Sequence, residues 1–499
     1  MLHPDADRTA SQFVPVGRWY HSTGTASCNH GSSRSTLLAR GENTHMNWLY
    51  RYEVKGIQRW ILASDKLKEL AGGSSVIEHL GKLAEQTAKR HDADLVVESL
   101  AAGGATFRFS TEAALRAFAA DWPMQVDHMA PGLQLVQSWI DADVGDAMQH
   151  LAVGLAAARQ RRVPSLPEAC PWAARSGRTG LPAVATAGGV LVDAGTRARR
   201  SEDRKRLDER LLGDKPWGFD NDLDGWAVSD DRGVAVVHAD GNAIGQRVMG
   251  LDDAERKAFS AALSEATLQA SRVALDAFER RLPEHVVRAS LPLRPVVIGG
   301  DDVTFLVPRS YAVPFAHAYL AAFDAECATR PILTGVTACA GVIIVRTGFP
   351  FSQAHALAEE LCRSAKQGRT STDAPSRLAF HRLTTSLTSS LDEHPSFSLE
   401  QLVWLEELTA AIQAFKARGK LRRWVELAGA DGDAKRADDL WRRTADVARD
   451  TEARAWGRIT DALAGLRTDA LRAQTAMLAA LEWSMLQPIQ GSKLWRAVS

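Results

Sequence analysis

The tetrapeptide Gly299-Gly300-Asp301-Asp302 lies between two apolar, β-rich segments, Arg294–Ile298 and Val303–Val307. That is the pattern of a hairpin whose tip carries two adjacent carboxylates. The glycines permit positive φ and let a phosphate approach the backbone with no Cβ in the way. Two neighbouring aspartates concentrate negative charge that divalent cations would neutralise, and hard oxygen donors select Mg2+ or Mn2+. Asp240 ends a third apolar run, Gly233–Ala239 (GVAVVHA). In a β-α-β-β-α-β sheet that strand lies beside the hairpin, so Asp240 can supply a third carboxylate. Two cations held by Asp240, Asp301 and Asp302 would activate a 3′-hydroxyl and stabilise pyrophosphate leaving an α-phosphate. Taken alone, the tetrapeptide reads as a turn. The ordered unit around it, with Asp240 in place ahead of it, favours the chemistry.

The elements that must position these residues follow from periodicity. After the strand Gly233–Ala239 comes a long helical pattern over Asp253–Arg281, then the hairpin, a helix over Val313–Ala328, a strand over Thr337–Arg346 and a helix over Ser352–Gln367. The same order occurs earlier: strand Trp48–Val54, helix Ser74–Arg90, strands Asp94–Ser99 and Thr106–Ser110, helix Glu112–Trp122, strand Leu133–Ile140. Both are ferredoxin-like units. Superimposed by their glycine turns, Gly103-Gly104-Ala105-Thr106 falls on Gly299-Gly300-Asp301-Asp302, and Lys55-Gly56 on Asp240-Gly241. The first copy then has the turn without carboxylates, and the Lys55 ammonium, in the third ligand's place, would attract phosphate instead of cations. The expected fold is α+β: two tandem units over 46–140 and 233–394, a Pro-containing linker or insertion over 141–232 with a charged helical run from Ser201 to Leu212, and an all-helical domain over 395–499. Ser398 with Gln401 three residues later forms a capping box that opens the first of those helices. Residues 1–45, rich in Ser, Thr, Gly, His and Arg, read as disordered or as an upstream extension with the start at Met46.

A chain of 499 residues exceeds one core. Lys+Arg and Asp+Glu both total 60, so no net charge draws the protein to nucleic acid or an anionic membrane. The five cysteines, Cys28, Cys170, Cys327, Cys339 and Cys362, include no C-x-x-C pair. No zinc is therefore expected, and the scattered thiols suit a reducing cytoplasm. No apolar run of spanning length occurs, so no membrane partner is expected.

The segments Val234–Gly245 (VAVVHADGNAIG), Pro295–Val307 (PVVIGGDDVTFLV) and Ala340–Lys366 resemble the second palm domain of the large subunit of type III CRISPR effector complexes. Tyr50–Leu80 (YRYEVKGIQRWILASDKLKELAGGSSVIEHL) is similar to that family's first palm domain. The resemblance spans roughly two thirds of the chain and holds in order as well as in motif. It implies a cyclase that joins ATP into cyclic oligoadenylate when its complex, with other subunits and guide RNA, senses target RNA. It implies Asp240, Asp301 and Asp302 as metal ligands, Lys366 as a phosphate contact, and Gly241, Asn242, Gly299 and Gly300 beside the nucleotide. Family members often carry an N-terminal HD nuclease domain and a zinc ribbon between the palms. Here the palm begins near residue 47, His91-Asp92 reads as a surface turn, and Cys170 stands alone between the copies. A stand-alone cyclase making a cyclic dinucleotide, and a non-enzymatic scaffold subunit, remain as alternatives.

Other residues stay open between two readings. Lys366 belongs to Ala365-Lys366-Gln367-Gly368-Arg369, one residue shorter than the palm-cyclase pattern, and could instead complement a helix C-terminal dipole. Gly72-Gly73-Ser74 opens the first copy's helix, where free N–H groups of Gly73 and Ser74 could hold phosphates or Ser74 could be an ordinary cap. Trp404, Trp424, Trp441, Trp456, Trp483 and Trp495 among arginines could stack RNA bases; core or partner interface is the preferred reading.

Overall fold

The computed structural model describes residues 48–64, 66–101, 103–160, 172–201, 205–220, 223–226, 233–282, 290–367, 374–383, 391, 394–428, 433–464 and 470–486. The extension expected over 1–45, Cys28, Cys170, Gly368-Arg369 and Trp495 lie outside them.

The first unit comprises β1 (Trp48–Lys55), α1 (Ile57–Ile61), α2 (Leu67–His91), β2 (Val96–Ala101), β3 (Gly104–Phe109), α3 (Glu112–Met129) and β4 (Gln134–Asp141). Its sheet runs β2-β3-β1-β4. Between the units lie α4 (Ala147–Gln160), the hairpin β5 (Ala183–Ala187) and β6 (Val190–Asp193), α5 (Ala194–Ser201) and α6 (Lys205–Leu212). The second unit comprises β7 (Gly233–Gly241), α7 (Ile244–Met249), α8 (Asp253–Glu279), β8 (Arg294–Gly299), β9 (Asp302–Pro308), α9 (Ala312–Ala328) and β10 (Ala338–Arg346). It continues through α10 (Phe351–Lys366), β11 (Arg377–Arg382) and β12 (Ser396–Ser398). The sheet runs β12-β11-β10-β7-β9-β8, so the ferredoxin-like order of the first unit recurs with two strands added at one edge. Five helices follow: α11 (Leu399–Ala414), α12 (Arg418–Ala428), α13 (Ala434–Thr451), α14 (Ala453–Ala464) and α15 (Ala470–Leu486). Ser398 and Gln401 cap the first of them reciprocally, as their spacing predicts.

The second sheet is buried on both faces, which is why its strands read as continuous apolar runs. Side chains alternate between two cores. Ala235, Val237, Val303 and Phe305 enter the core shared with α8, α9 and the C-terminal helices. Val234, Val236, Val296 and Leu306 enter the core shared with α10 and the first unit. This parity decides which way each site residue points. His238, Asp240, Asp302 and Thr304 continue the even-numbered rows and face α10 and the first unit.

Several expectations need correction. The first helix opens at Leu67, seven residues before Ser74, because Leu67, Leu70 and Ala71 already form its buried face. Gly72 sits inside the helix because a Cβ there would lie 1.7 Å from the Arg199 carbonyl oxygen of α5. Helix α3 runs through Pro123 to Met129. The Ala119 carbonyl that Pro123 cannot serve accepts instead from Gln137 Nε2 at 3.0 Å. Within 141–232, the helical run expected up to Leu212 is present as α6, and it also bridges the two units. In α6, Asp208 accepts from both terminal nitrogens of Arg294 on β8, at 3.0 and 2.6 Å, while Arg210 pairs with Glu78 on α2. One short helix thereby ties the two units together. His91-Asp92 is also no surface turn: Asp92 is buried and accepts from the Asp94 and Ser110 amides.

The tryptophans of the C-terminal helices are core. Trp456 and Trp483 are buried, while Trp404, Trp424 and Trp441 pack against them. The Trp441 and Trp456 rings lie 4.6 Å apart. Cys327, Cys339 and Cys362 are buried thiols, and Cys362 Sγ donates to the Cys339 carbonyl at 3.2 Å. No helix among the described residues is long and apolar enough to cross a membrane.

Candidate active site

Strands β8 and β9 close through a two-residue turn, Gly300-Asp301, flanked by the pair Gly299–Asp302. Gly300 has φ +61°, which only glycine adopts without strain. Its carbonyl accepts from Thr267 Oγ1 of α8 at 2.6 Å, fixing the tip against the second unit's longest helix. Strand β7 pairs with β9 through Ala239–Val303, and the next step of that register brings Asp240 opposite Asp302. Gly241 follows, and a Cβ there would lie 2.9 Å from Asp301 Cβ. The glycine lets the tip close over the end of β7, so the three expected carboxylates meet.

Their electrostatics show that they crowd one another. Burial, then the charge of Asp240, raises the Asp301 carboxyl to about 6. Burial, followed by Asp240, Asp301 and Glu359, holds Asp302 well above the usual carboxylate range. Two protein donors answer part of this charge. Lys366, the last residue of α10, donates to the Asp240 carboxylate and, at 2.8 Å, to the Gly241 carbonyl. Gln58 of α1 donates to Asp302 Oδ2. Asp302 Oδ1 is buried without a hydrogen-bond partner, 3.4 Å from His238 Nδ1. His238 is neutral, lowered to about 4 by burial and then by Lys366, and His355 is lowered to about 3 by burial and then by His238. Thr304 Oγ1 lies 3.3 Å from a ring nitrogen of each histidine, and His355 Nδ1 lies 3.7 Å from Glu359 Oε2.

Among the described residues, no three His, Cys, Asp or Glu side chains already converge as metal ligands do. The donor set nevertheless fits hard divalent cations. It consists of carboxylates alone, crowded enough to raise two of them, with one buried oxygen unserved. In this arrangement the Lys366 ammonium lies on Asp240 and the Gln58 amide on Asp302.

Two cavities meet at the hairpin tip. One, of about 750 Å3, is bounded by Gln58, Arg59, Glu78, Asp302, His355 and Glu359, with Gly299 and Gly300 in its wall. The other, of about 280 Å3, is bounded by Arg51, Arg108, Arg256, Lys257, Phe259 and Asp301. The adjacent aspartates thus border different spaces.

Several expected nucleotide contacts are placed otherwise. Gly73 and Ser74 lie inside α2, not at its start, so no free helix-terminal N–H groups are offered there. The Ser74 hydroxyl donates to Val296 O, joining α2 to β8 at the edge of the larger cavity. Asn242 is buried, its amide group donating to Thr337 Oγ1 at 2.9 Å and its backbone N–H to Thr337 O at 2.8 Å. Lys55 does not occupy the position of Asp240. The pairs Ala101–Gly104 and Glu53–Gly104 match Gly299–Asp302 and Asp240–Asp302, so the residue equivalent to Asp240 is Glu53, and Lys55 matches Asn242. The superposition by glycines is two residues out because Ala101, not Gly103, pairs across the first turn as Gly299 does across the second. Glu53 is held by Arg51 at 3.0 Å and by Arg159, and Lys55 donates to the Arg159 carbonyl.

Gln58, His238, His355 and Glu359 were not foreseen. His238 precedes Asp240 by two residues and so shares its strand face, a signal that periodicity offers. His355 and Glu359, four apart on a helix, share a face too. Gln58 has no local signal; it lies 244 residues from its partner.

Residues 233–374 match the family of the Cas10/Cmr2 second palm domain. The second unit is a Cas10-like palm. Among solved structures, a Csm1-Csm4 cassette in complex with cA4 is similar at 15% identity, covering 88% of this chain and 69% of that one, with a TM-score of 0.57. Csm1 of T. onnurineus is similar at 14% identity, covering 88% and 70%, with a TM-score of 0.56. A Csm1-Csm4 cassette with pppApA matches at 14% identity over 89% and 69%, TM-score 0.56. At these identities the likeness is one of fold, and it covers 88–89% of this chain. No curated protein matches the chain.

Proposed function

We propose that this protein is a nucleotidyltransferase that converts ATP to cyclic oligoadenylate, as a subunit of a type III CRISPR effector complex holding guide RNA and sensing target RNA. The observation that carries the reading is the meeting of Asp240, Asp301 and Asp302 at the hairpin tip of a Cas10-like palm, beside a cavity of about 750 Å3. The similar cassettes were solved with cA4, pppApA and AMPPNP, which supports adenine nucleotides as the substrate class.

Asp240, Asp301 and Asp302 would hold two Mg2+ or Mn2+ ions. When bound, such ions lower the pKa of a 3′-hydroxyl and neutralise charge on the α-phosphate and departing pyrophosphate. Each joining step forms a bond from the 3′-oxygen to the α-phosphorus, breaks the bond to pyrophosphate and releases the hydroxyl proton to water. The chain's residues position the reactants. Lys366 stands at the aspartates and supplies a cation for the triphosphate once Asp240 is engaged elsewhere. The glycine backbone at 299–300 admits phosphate oxygens closely. The walls from α1 and α2 hold the second nucleotide and exclude water.

The test is incubation of the assembled complex with labelled ATP and Mg2+, with and without target RNA, followed by chromatography and mass analysis. Cyclic oligoadenylate that requires target RNA is expected, and none from the Asp301→Asn, Asp302→Asn double variant. Absence of oligoadenylate from the wild-type complex, or equal yield from the double variant, would refute the proposal.

A further inference from the structure

The inner faces of α1 and the β8–β9 turn meet at one polar contact. Strand β1 ends at Lys55, Gly56 turns the chain with φ +67°, and α1 begins at once. The buried Trp60 and Ile61 anchor this short helix, leaving Gln58 on the cavity side. Its amide nitrogen donates to Asp302 Oδ2.

The two oxygens of Asp302 are not equivalent. Oδ1 is buried, toward His238. Asp302 also borders the large cavity, and Gln58 bonds its other oxygen, Oδ2. A cation entering from the cavity therefore meets Oδ2, and that oxygen is already covered.

We propose that Gln58 is a positioning residue of the first palm that caps Asp302 and competes with the divalent cation for it. This rests on the reading of the aspartates as cation ligands. In consequence, cation loading depends on the separation between α1 and the hairpin tip. Anything that draws the first palm's α1 back by the length of one hydrogen bond exposes Asp302 Oδ2, and anything that presses it forward closes the site. The first palm, which lacks the aspartate pair at its own turn, acquires a role in the chemistry through one amide.

The test is Mn2+ titration of the full chain, free Mn2+ being followed by electron paramagnetic resonance, with no nucleotide present. Gln58→Leu keeps the side-chain volume and removes the donor. Gln58→Ala is the companion variant should leucine fail to fold. A hydrogen bond to a carboxylate that must break before binding is worth about a tenfold or greater change in affinity. Mn2+ should therefore bind Gln58→Leu about tenfold more tightly than the wild type, with the melting temperature within a few degrees. The Asp301→Asn, Asp302→Asn variant should not bind Mn2+ at this affinity. If the aspartate variant loses Mn2+ while Gln58→Leu binds it no tighter than the wild type, the capping role is wrong and the metal site stands. If the aspartate variant keeps Mn2+, both readings fall.

Discussion

Lys366 Nζ, at the end of α10, lies against the carboxylate of Asp240 at the end of β7, and donates also to the Gly241 carbonyl. Burial alone would lower the lysine, but Asp240 outweighs it and the ammonium is held above its usual range. On the proposed function, a charged lysine held against Asp240 near the end of β7 is placed to exchange a carboxylate for a triphosphate. Lys366→Met should lower kcat by about 10²- to 10³-fold, the usual cost of losing one preorganised donor. Lys366→Arg should recover part of it, which rate measurement at saturating ATP would show. A kcat within twofold of wild type for Lys366→Met would assign the lysine to the helix terminus alone.

Asp302→Asn should abolish product and yet stabilise the fold at neutral pH. The carboxyl is buried beside Asp240 and Asp301 and held well above its usual range. For an acid raised on folding, the folded state binds the extra proton, so stability falls as pH climbs from the unfolded value and stays low above the folded one. Removing the charge removes that loss. Without divalent cations, thermal unfolding at pH 8 should show a higher melting temperature for the variant, and a lower one would contradict the argument.

A second pH effect lies far from the site. Glu482 on α15 is raised from 4.5 to about 7 by burial, with Arg382 of β11 only partly opposing. His381 stands 3.9 Å away but is lowered to about 4, by burial and then by His394, so it offers no positive charge. The packing of α15 on the palm should therefore weaken as pH rises from about 4.5 to 7, by up to about 3 kcal/mol. Glu482→Gln should flatten the pH dependence of denaturant unfolding across that window. An unchanged slope would show that the carboxyl is solvated.

Gln137 on β4 serves a carbonyl that a proline orphans. Gln137→Leu should cost about 1–3 kcal/mol for each group left unserved, the Ala119 carbonyl and the buried Tyr50 hydroxyl that donates to Gln137 Oε1 at 2.6 Å. In a Pro123→Ala background the helix can bond its own Ala119 carbonyl, and the loss should shrink. A double-mutant cycle by denaturant titration measures that difference; equal losses in both backgrounds would mean that the two residues act independently.

Legibility from sequence varied with the range of the physics involved. Alternation along β7 and β9, the Gly-Gly-Asp-Asp turn and the Ser398–Gln401 box are local, because strand period, positive φ and capping are set within a few residues. They sufficed for the ferredoxin-like order and for placing Asp240, Asp301 and Asp302 at a strand end and the neighbouring turn. The two-residue error over Lys55 arose where local logic weakens: Gly103-Gly104 marks a turn but not which residues form it, and only the β1–β3 pairing settles that Glu53 matches Asp240. The start of α2 was masked by Gly72 and Gly73, poor helix formers packed against Arg199, more than a hundred residues on, whose carbonyl faces Gly72 and whose side chain faces Gly73. Gln58 on Asp302, Lys366 on Asp240, and α6 holding Glu78 and Arg294 together are contacts across the chain. The sequence by itself determined which residues could bear charge and which strand faces they share. Which donor covers which carboxylate depends on how two palms and a helix pack against each other. No residue spacing carries that information, because close-packed cores and not the intervening chain set the distances.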